Sequence, residues 1–336
     1  MNKKIFLYEF KKIINIPVVL FIILIFIFKI AVSINYNMNY DQSYNDTFDE
    51  MIVIAVENGY VEDYTQIYIT NEINSLLSGI EEREEVQINA QNNEFFSLSM
   101  PDDYIENIDL YASFVLPELI NNTRWNLFFQ LNTFNFITAI AVLFYSNIIS
   151  KEKESSMDMI IKSSAIGEKV VMKHKIVLTL GITSLIYILS FLVDFIGSMF
   201  YKVFDDFDKP LSSLFPKMLS ELSLGEFLIR YFLVGFLFAI FFTLLVLVFS
   251  SMFPTSSLSI ISMVIFLSSS IFADYLLPSN IVVTFLTGNL SKLYSSTNLL
   301  NRGKVIYWDM IFIFVYSIFI ILFIAYLTKS KRGFKK

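Results

Sequence analysis

From Tyr231 to Phe249 the chain runs nineteen residues without a charged side chain. A helix of that length nearly matches the roughly 20 residues needed to cross a hydrocarbon core of about 30 Å. Five further apolar stretches approach the same length. They run from Pro17 to Ile34, Phe128 to Ile149, Ile176 to about Phe200, Ser257 to Leu276 and Met310 to Leu327. Lipid offers nothing to satisfy backbone N–H and C=O groups, so all six are expected to be helices. With 55% hydrophobic residues and 36 Phe, too little polar surface remains for a soluble globule of 336 residues. The fold class read from the sequence is an all-α integral membrane protein. It has six transmembrane helices and a small, mainly helical extracellular domain between the first and second.

The segment boundaries follow. Residues 1–16 form an interfacial amphipathic helix, 17–35 the first span, 36–127 an acidic external domain and 128–149 the second span. Residues 150–175 form an inner loop, 176–200 the third span, 201–225 an outer loop and 226–250 the fourth span. A turn at 251–256 leads to the fifth span at 257–276. Residues 277–306 form an outer loop, 307–328 the sixth span and 329–336 a basic tail. Within 277–306, Ile281 to Leu286 is an apolar run too short to span. It is either a re-entrant piece or a loop packed on the bundle.

Charge sets the orientation. Residues 36–127 carry eighteen acidic side chains, two arginines and no lysine, whereas the other 244 residues carry 23 Lys+Arg against 13 Asp+Glu. Lys and Arg are retained on the cytoplasmic side of a bilayer, and acidic segments are exported with little penalty. The N-terminal segment, the 150–175 loop and the tail from Lys329 together hold fifteen basic residues, against eight in the much longer opposite loops. Both termini are therefore expected in the cytoplasm, with the chain multi-pass in the plasma membrane, and a bacterial cell is the expected setting. Trp125 and Trp308 fall at outer span ends, where an indole suits the interface. Before the first span, Phe6, Phe10, Ile13 and Pro17 share one helical face opposite Lys4, Tyr8 and Lys11, a pattern for a helix lying on the membrane. In the acidic domain, Thr47 and Glu50 read as a capping box, and Ile73, Leu76, Leu77 and Ile80 repeat at helical spacing. Its charge either recruits cationic molecules such as antimicrobial peptides or serves only as a solvated surface that translocates easily.

Catalytic chemistry is poorly represented. With no cysteine and one histidine, thiolate sites, His-based metal sites and a Ser-His-Asp triad are not expected, and His174 reads as part of a basic loop end. No G-x-x-x-x-G-K-[ST] phosphate cradle occurs. The apolar N-terminal run has no small-residue cleavage site after it, so it reads as a retained span.

Three groups of residues remain as candidates. In the 150–175 loop, Glu152 and Glu154 open a charged run, Met157, Ile160 and Ile161 follow at helical spacing, and a break at 163–167 precedes Lys169 and Lys173. A short helix with one apolar edge suits either a groove on a soluble partner or anionic lipid. In the fifth span, Thr255, Ser259, Ser262, Ser269 and Ala273 fall within about 80° of one another, interrupted by Phe266. They form a close-packing face or the lining of a substrate path. Lys29, Asp194, Arg230 and Asp274 lie at or near outer span ends and are expected to snorkel outward or to pair.

The loop and the N-terminal helix resemble the permease subunit of ABC-2 type ATP-binding-cassette transporters. Tyr8-Glu9-Phe10-Lys11-Lys12 matches that family's basic element before the first span. Its E-x-E-x-G pattern, aliphatic pair and basic stretch correspond to Glu152, Glu154, Met159-Ile160-Ile161, Ser163-Ser164, Gly167, Lys169 and Lys173. Ser156 stands where glycine is common, and Ala165 where proline is common. The resemblance implies that the loop is a coupling helix contacting a separate cytoplasmic ABC ATPase, and that two permease chains work together. ATP and Mg would be used by that partner, with no cofactor bound by this chain and no nucleic acid involved. The implied activity is export of a hydrophobic or amphipathic substrate such as an antimicrobial peptide, drug or lipid. A sensor or scaffold signalling from the external domain is the alternative.

Overall fold

The computed structural model describes residues 3–13, 19–20, 22–24, 26–31, 34, 125, 128–129, 141, 144–163, 168–200, 207–214, 222–277, 280–288, 300–301, 304–305 and 308–329. The described residues are almost all helical. Helix α1 is Lys3–Ile13, and the apolar helix α2 covers Ile22–Ala31. Two short helices, α3 (Ser150–Glu154) and α4 (Met157–Ser163), precede α5 (Glu168–Phe200). Then come α6 (Leu224–Met252), α7 (Ser256–Leu276), the short α8 (Ile281–Thr287) and α9 (Trp308–Thr328). Between α8 and α9, strands β1 (Leu300–Asn301) and β2 (Lys304–Val305) pair antiparallel with Leu300 opposite Val305, a small hairpin that the apolar pattern gave no hint of.

Helices α5, α6, α7 and α9 are long and apolar enough to cross a membrane, so the chain is a multi-pass membrane protein. They correspond to the third to sixth expected spans. Of the first, α2 is the described portion. Most of the second and of the acidic 36–127 domain, with its capping box and apolar stripe, lies outside the described residues. Two boundaries shift. Helix α6 runs two residues past the 226–250 estimate at both ends, and its start is fixed by a capping box between Ser223 and Glu226. Helix α5 begins at Glu168 rather than Ile176, because no Pro or Gly interrupts 168–175 and Glu168 suits a helix N-terminus. Lys169, Lys173 and His174 thereby move from a loop onto a helix.

The core centres on α6, which is apolar all round and more than half buried, whereas α7 and α9 bury only 17% of their apolar windows. Lipid is as apolar as Leu, so contacts between such helices depend on packing shape and hydrogen bonds. Phe241 of α6 packs on Tyr316, Phe319 and Phe323 of α9 at ring separations of 5.3–5.8 Å. Thr183 of α5 shares a 3.0 Å hydrogen bond with Thr243 of α6 and donates to the Tyr145 hydroxyl at 3.3 Å.

Helix α8 resolves the 281–286 run as a capped helix packed on the bundle. Asn280 Oδ1 accepts from the amides of Val282 and Val283, and Gly288 ends the helix at φ 68°. A Cβ at Gly288 would lie 2.8 Å from the Phe238 ring, so both backbone and space demand glycine there. Phe285 stacks on Tyr316 at 4.7 Å and its carbonyl accepts from the Tyr316 hydroxyl at 2.7 Å. Phe238 and Tyr316 are mid-helix residues, roughly 21 Å and 12 Å along α6 and α9 at 1.5 Å per residue. Helix α8 therefore sits against the middle of both.

Trp125 packs against other aromatic rings. It is fully buried, with Phe129 at 6.2 Å and Phe207 at 5.9 Å.

Candidate functional site

The sequence of α3 and α4 places four charges and three serines within eight residues, and the fold uses nearly all of them. Glu152 is buried rather than displayed. Its two carboxylate oxygens accept from Lys12 of α1 and Lys175 of α5. Lys175 is 2% exposed, so burial of its ammonium is tolerable because a carboxylate faces it. Glu9 is also buried here, and burial raises its carboxyl above the usual range, while Lys175 and then Lys12 pull it down. His174 is buried against Phe6, 6.3 Å between rings, with Nδ1 2.6 Å from the Val170 carbonyl. Helix α1 thus turns Phe6, Glu9 and Ile13 inward, and Phe10 is exposed. The expected apolar face is off by the position of one acid, since a buried carboxylate is tolerated within electrostatic reach of the Lys175 and Lys12 ammoniums.

Serines tie the same elbow to the α6–α7 turn. Ser250 Oγ accepts from the amides of Ile149 and Ser150 at 3.0 and 3.1 Å, satisfying donors that open α3. Ser259 donates to the Ser146 carbonyl at 2.6 Å, and Lys153 donates to the Ser251 carbonyl. Glu154 is exposed and accepts from the Ser256 amide at 3.2 Å and the Ser256 hydroxyl at 2.5 Å. That carboxylate serves as the cap of α7, whose own N-cap residue, Thr255, makes no side-chain cap bond. The hydrogen bonds to Ser256, its hydroxyl first, hold the Glu154 carboxyl below its ordinary range.

Between α3 and α4 the backbone turns at Ser156 with φ 57°, the one non-glycine residue at positive φ among those described. This is where the ABC-2 pattern commonly has glycine. A left-handed residue costs an L-side chain about 1–2 kcal/mol, and glycine far less. The turn leaves α4 projecting. Met159 and Ile160 are 66% and 67% exposed and Met157 is exposed, while Ile161 is half-buried. Lys169 and Lys173 are exposed on the first turns of α5, and Gly167 lies outside the described residues.

The other candidates distribute unevenly. On α7, Ser259 is fully buried, Thr255, Ser262, Phe266 and Ala273 are half-buried, and Ser269 is exposed and bonded to the Phe266 carbonyl of its own helix. The face turned inward is Ser259, Met263 and Ser270, rotated by one residue from the expected stripe. Ser269 and Ser270 both donate to the Phe266 carbonyl of their own helix, so a hydroxyl's bond there does not set which way it faces. Of the four charges, Lys29 pairs with Asp194 at 2.8 Å, both buried. Arg230 pairs with Asp309 at 3.1 Å, and Asp274 is half-buried. Asp309 was missed because an acid flanking a span looks like an ordinary surface residue, and Glu9 was named only as part of the Tyr8-Glu9-Phe10-Lys11-Lys12 element.

No family model, curated protein or solved structure matches this chain.

Proposed function

We propose that the chain is the permease subunit of an ABC-2-like transporter, exporting a hydrophobic or amphipathic substrate with energy from a separate ATPase. In this reading six helices span the plasma membrane, and α1, α3 and α4 lie on the cytoplasmic side. Helix α8 then descends from the outer surface as a re-entrant piece between α7 and α9. The observation that carries the reading is mechanical. Helix α3 is bonded to α1, α5, α6 and α7 at once, while α4 beside it offers Met159 and Ile160 to solvent or partner.

An apolar edge on a braced mount is what a docking element needs in order to move a bundle. Closure of two ATPases would press on α4, and the brace would distribute that displacement into three long helices as a rigid-body shift. A loose loop would absorb the same push. The working unit would pair this chain with a second permease chain and two ATPases.

The test is a photo-crosslinker placed at position 160 of the full chain in its native membrane. The expected product is a covalent adduct with an ATP-binding-cassette ATPase. Adducts with lipid alone would remove the reading.

A further inference from the structure

We propose that the Lys29–Asp194 pair marks a binding station for amphiphiles carrying an ammonium group, with Lys29 acting as a tethered occupant that the ligand displaces. Asp194 lies toward the opposite end of α5 from Lys175, and Lys29 reaches it from α2. Asp194 is nineteen residues beyond Lys175, roughly 28 Å along the helix, close to the thickness of a hydrocarbon core. Asp194 is 2% exposed and Lys29 7%. Ionisable groups inside a membrane bundle are costly, and they most often mark a ligand or ion site.

The surroundings fit an organic cation. Tyr187, Ser190, Phe191, Asp194 and Ser198 fall on one face of α5 at helical spacing. Tyr187, Phe191 and Phe195 form a stacked ladder with rings 6.3 and 6.4 Å apart, and Phe232 closes on Phe191 at 4.8 Å. Tyr187 and Tyr231 lie within electrostatic reach of the Asp194 carboxylate. A carboxylate backed by aromatic rings is the chemistry that holds ammonium groups. Ser190 adds a separate sign. It is fully buried one turn from Asp194, and its hydroxyl has no hydrogen-bond partner among the described residues. Thr179 on the same helix bonds back to the carbonyls of Lys175 and Ile176. The Ser190 hydroxyl is spare polar capacity in a dry place, which a ligand would fill.

Exchange explains why a pair is present and not a lone acid. An empty site with a bare carboxylate would leave a buried charge uncompensated. Lys29 fills it until another ammonium arrives, and its long stem can carry its own charge outward. One cation replaces another, so Asp194 is never unpaired. An uncharged amphiphile cannot make that exchange, which gives selectivity by penalty. The acidic 36–127 segment, with eighteen acids, would raise the local concentration of such cations.

This inference rests on the export reading only for naming the ligand as cargo, so its test needs no ATPase. The full chain in nanodiscs is titrated with dodecyltrimethylammonium and with uncharged dodecanol. Wild type should bind the cation at least about tenfold more tightly than the alcohol. In Lys29→Met/Asp194→Asn, which keeps the packing without charge, that preference should vanish. Lys29→Met alone, with the competitor removed, should tighten cation binding by about tenfold or more. Equal preference in wild type and the double variant would overturn the proposal, even if the ATPase still binds. If Lys29→Met does not fold, the comparison of wild type with the double variant decides the matter.

Discussion

The two ends of α5 hold charge in opposite ways. At one end Glu152 joins two cations while Glu9 and His174 crowd the same space, and Lys12 remains 33% exposed. At the other, Lys29 meets Asp194 with both groups within the bundle. Among the described residues, the first is a junction shared by three helices, and the second is a clasp between two. A junction cannot be neutralised by removing any single pair, whereas a clasp can. The N-terminal region is tied to α5 toward both ends, through Glu152, which bridges Lys12 of α1 to Lys175, and through the Lys29–Asp194 pair between α2 and α5.

The largest effect should come from Glu152→Ala. It strands the buried Lys175 ammonium, a loss expected to cost about 3–5 kcal/mol and to lower the thermal midpoint sharply in detergent. A drop below about 1 kcal/mol would mean the junction is solvated and holds nothing. Next is the contrast between double variants. Lys29→Met/Asp194→Asn should unfold within about 1 kcal/mol of wild type or be more stable, because a well-packed neutral pair avoids desolvation. Glu152→Gln/Lys175→Met should remain destabilised, since the buried Glu9 then loses Lys175, the cation that most offsets its burial. Equal behaviour of the two doubles would erase the distinction between junction and clasp.

The smallest effect concerns pH. Burial raises the Glu9 carboxyl above its ordinary 4.5, with Lys175 and Lys12 opposing. Between 4.5 and that raised value the folded chain keeps a proton that the unfolded chain has released. The contribution of Glu9 to stability is therefore fully present below 4.5 and lost as pH rises through the raised value. Glu9→Gln stays neutral throughout, so its thermal midpoint should change less across that window than the wild-type midpoint. Parallel curves would show that Glu9 is solvated.

The long apolar helices were legible because lipid allows few alternatives, and four of them are found where the runs Ile176–Phe200, Tyr231–Phe249, Ser257–Leu276 and Met310–Leu327 lie. Of the elbow, the short helix with its apolar edge was legible, but not the bonds that brace it. Nothing in local sequence says that Glu152 is consumed by Lys12, 140 residues away, or that Glu154 caps a helix beginning at Ser256. Such contacts depend on which elements the bundle brings together. Ser156 carries a partial signal. Its position matched a glycine of the resembled pattern, and the backbone there takes the conformation glycine favours. The serines of α7 carry little directional signal, because serine in a helix can bond its own backbone.

The account depends most on α4 being a docking edge on a rigid mount. Met159→Asp/Ile160→Asp charges two side chains that are about two-thirds exposed, so folding should be unaffected. The measurement is co-purification of ATPase with this variant, alongside its thermal midpoint. The account predicts an unchanged midpoint and loss of the ATPase. A variant that keeps its ATPase at the wild-type ratio would contradict it.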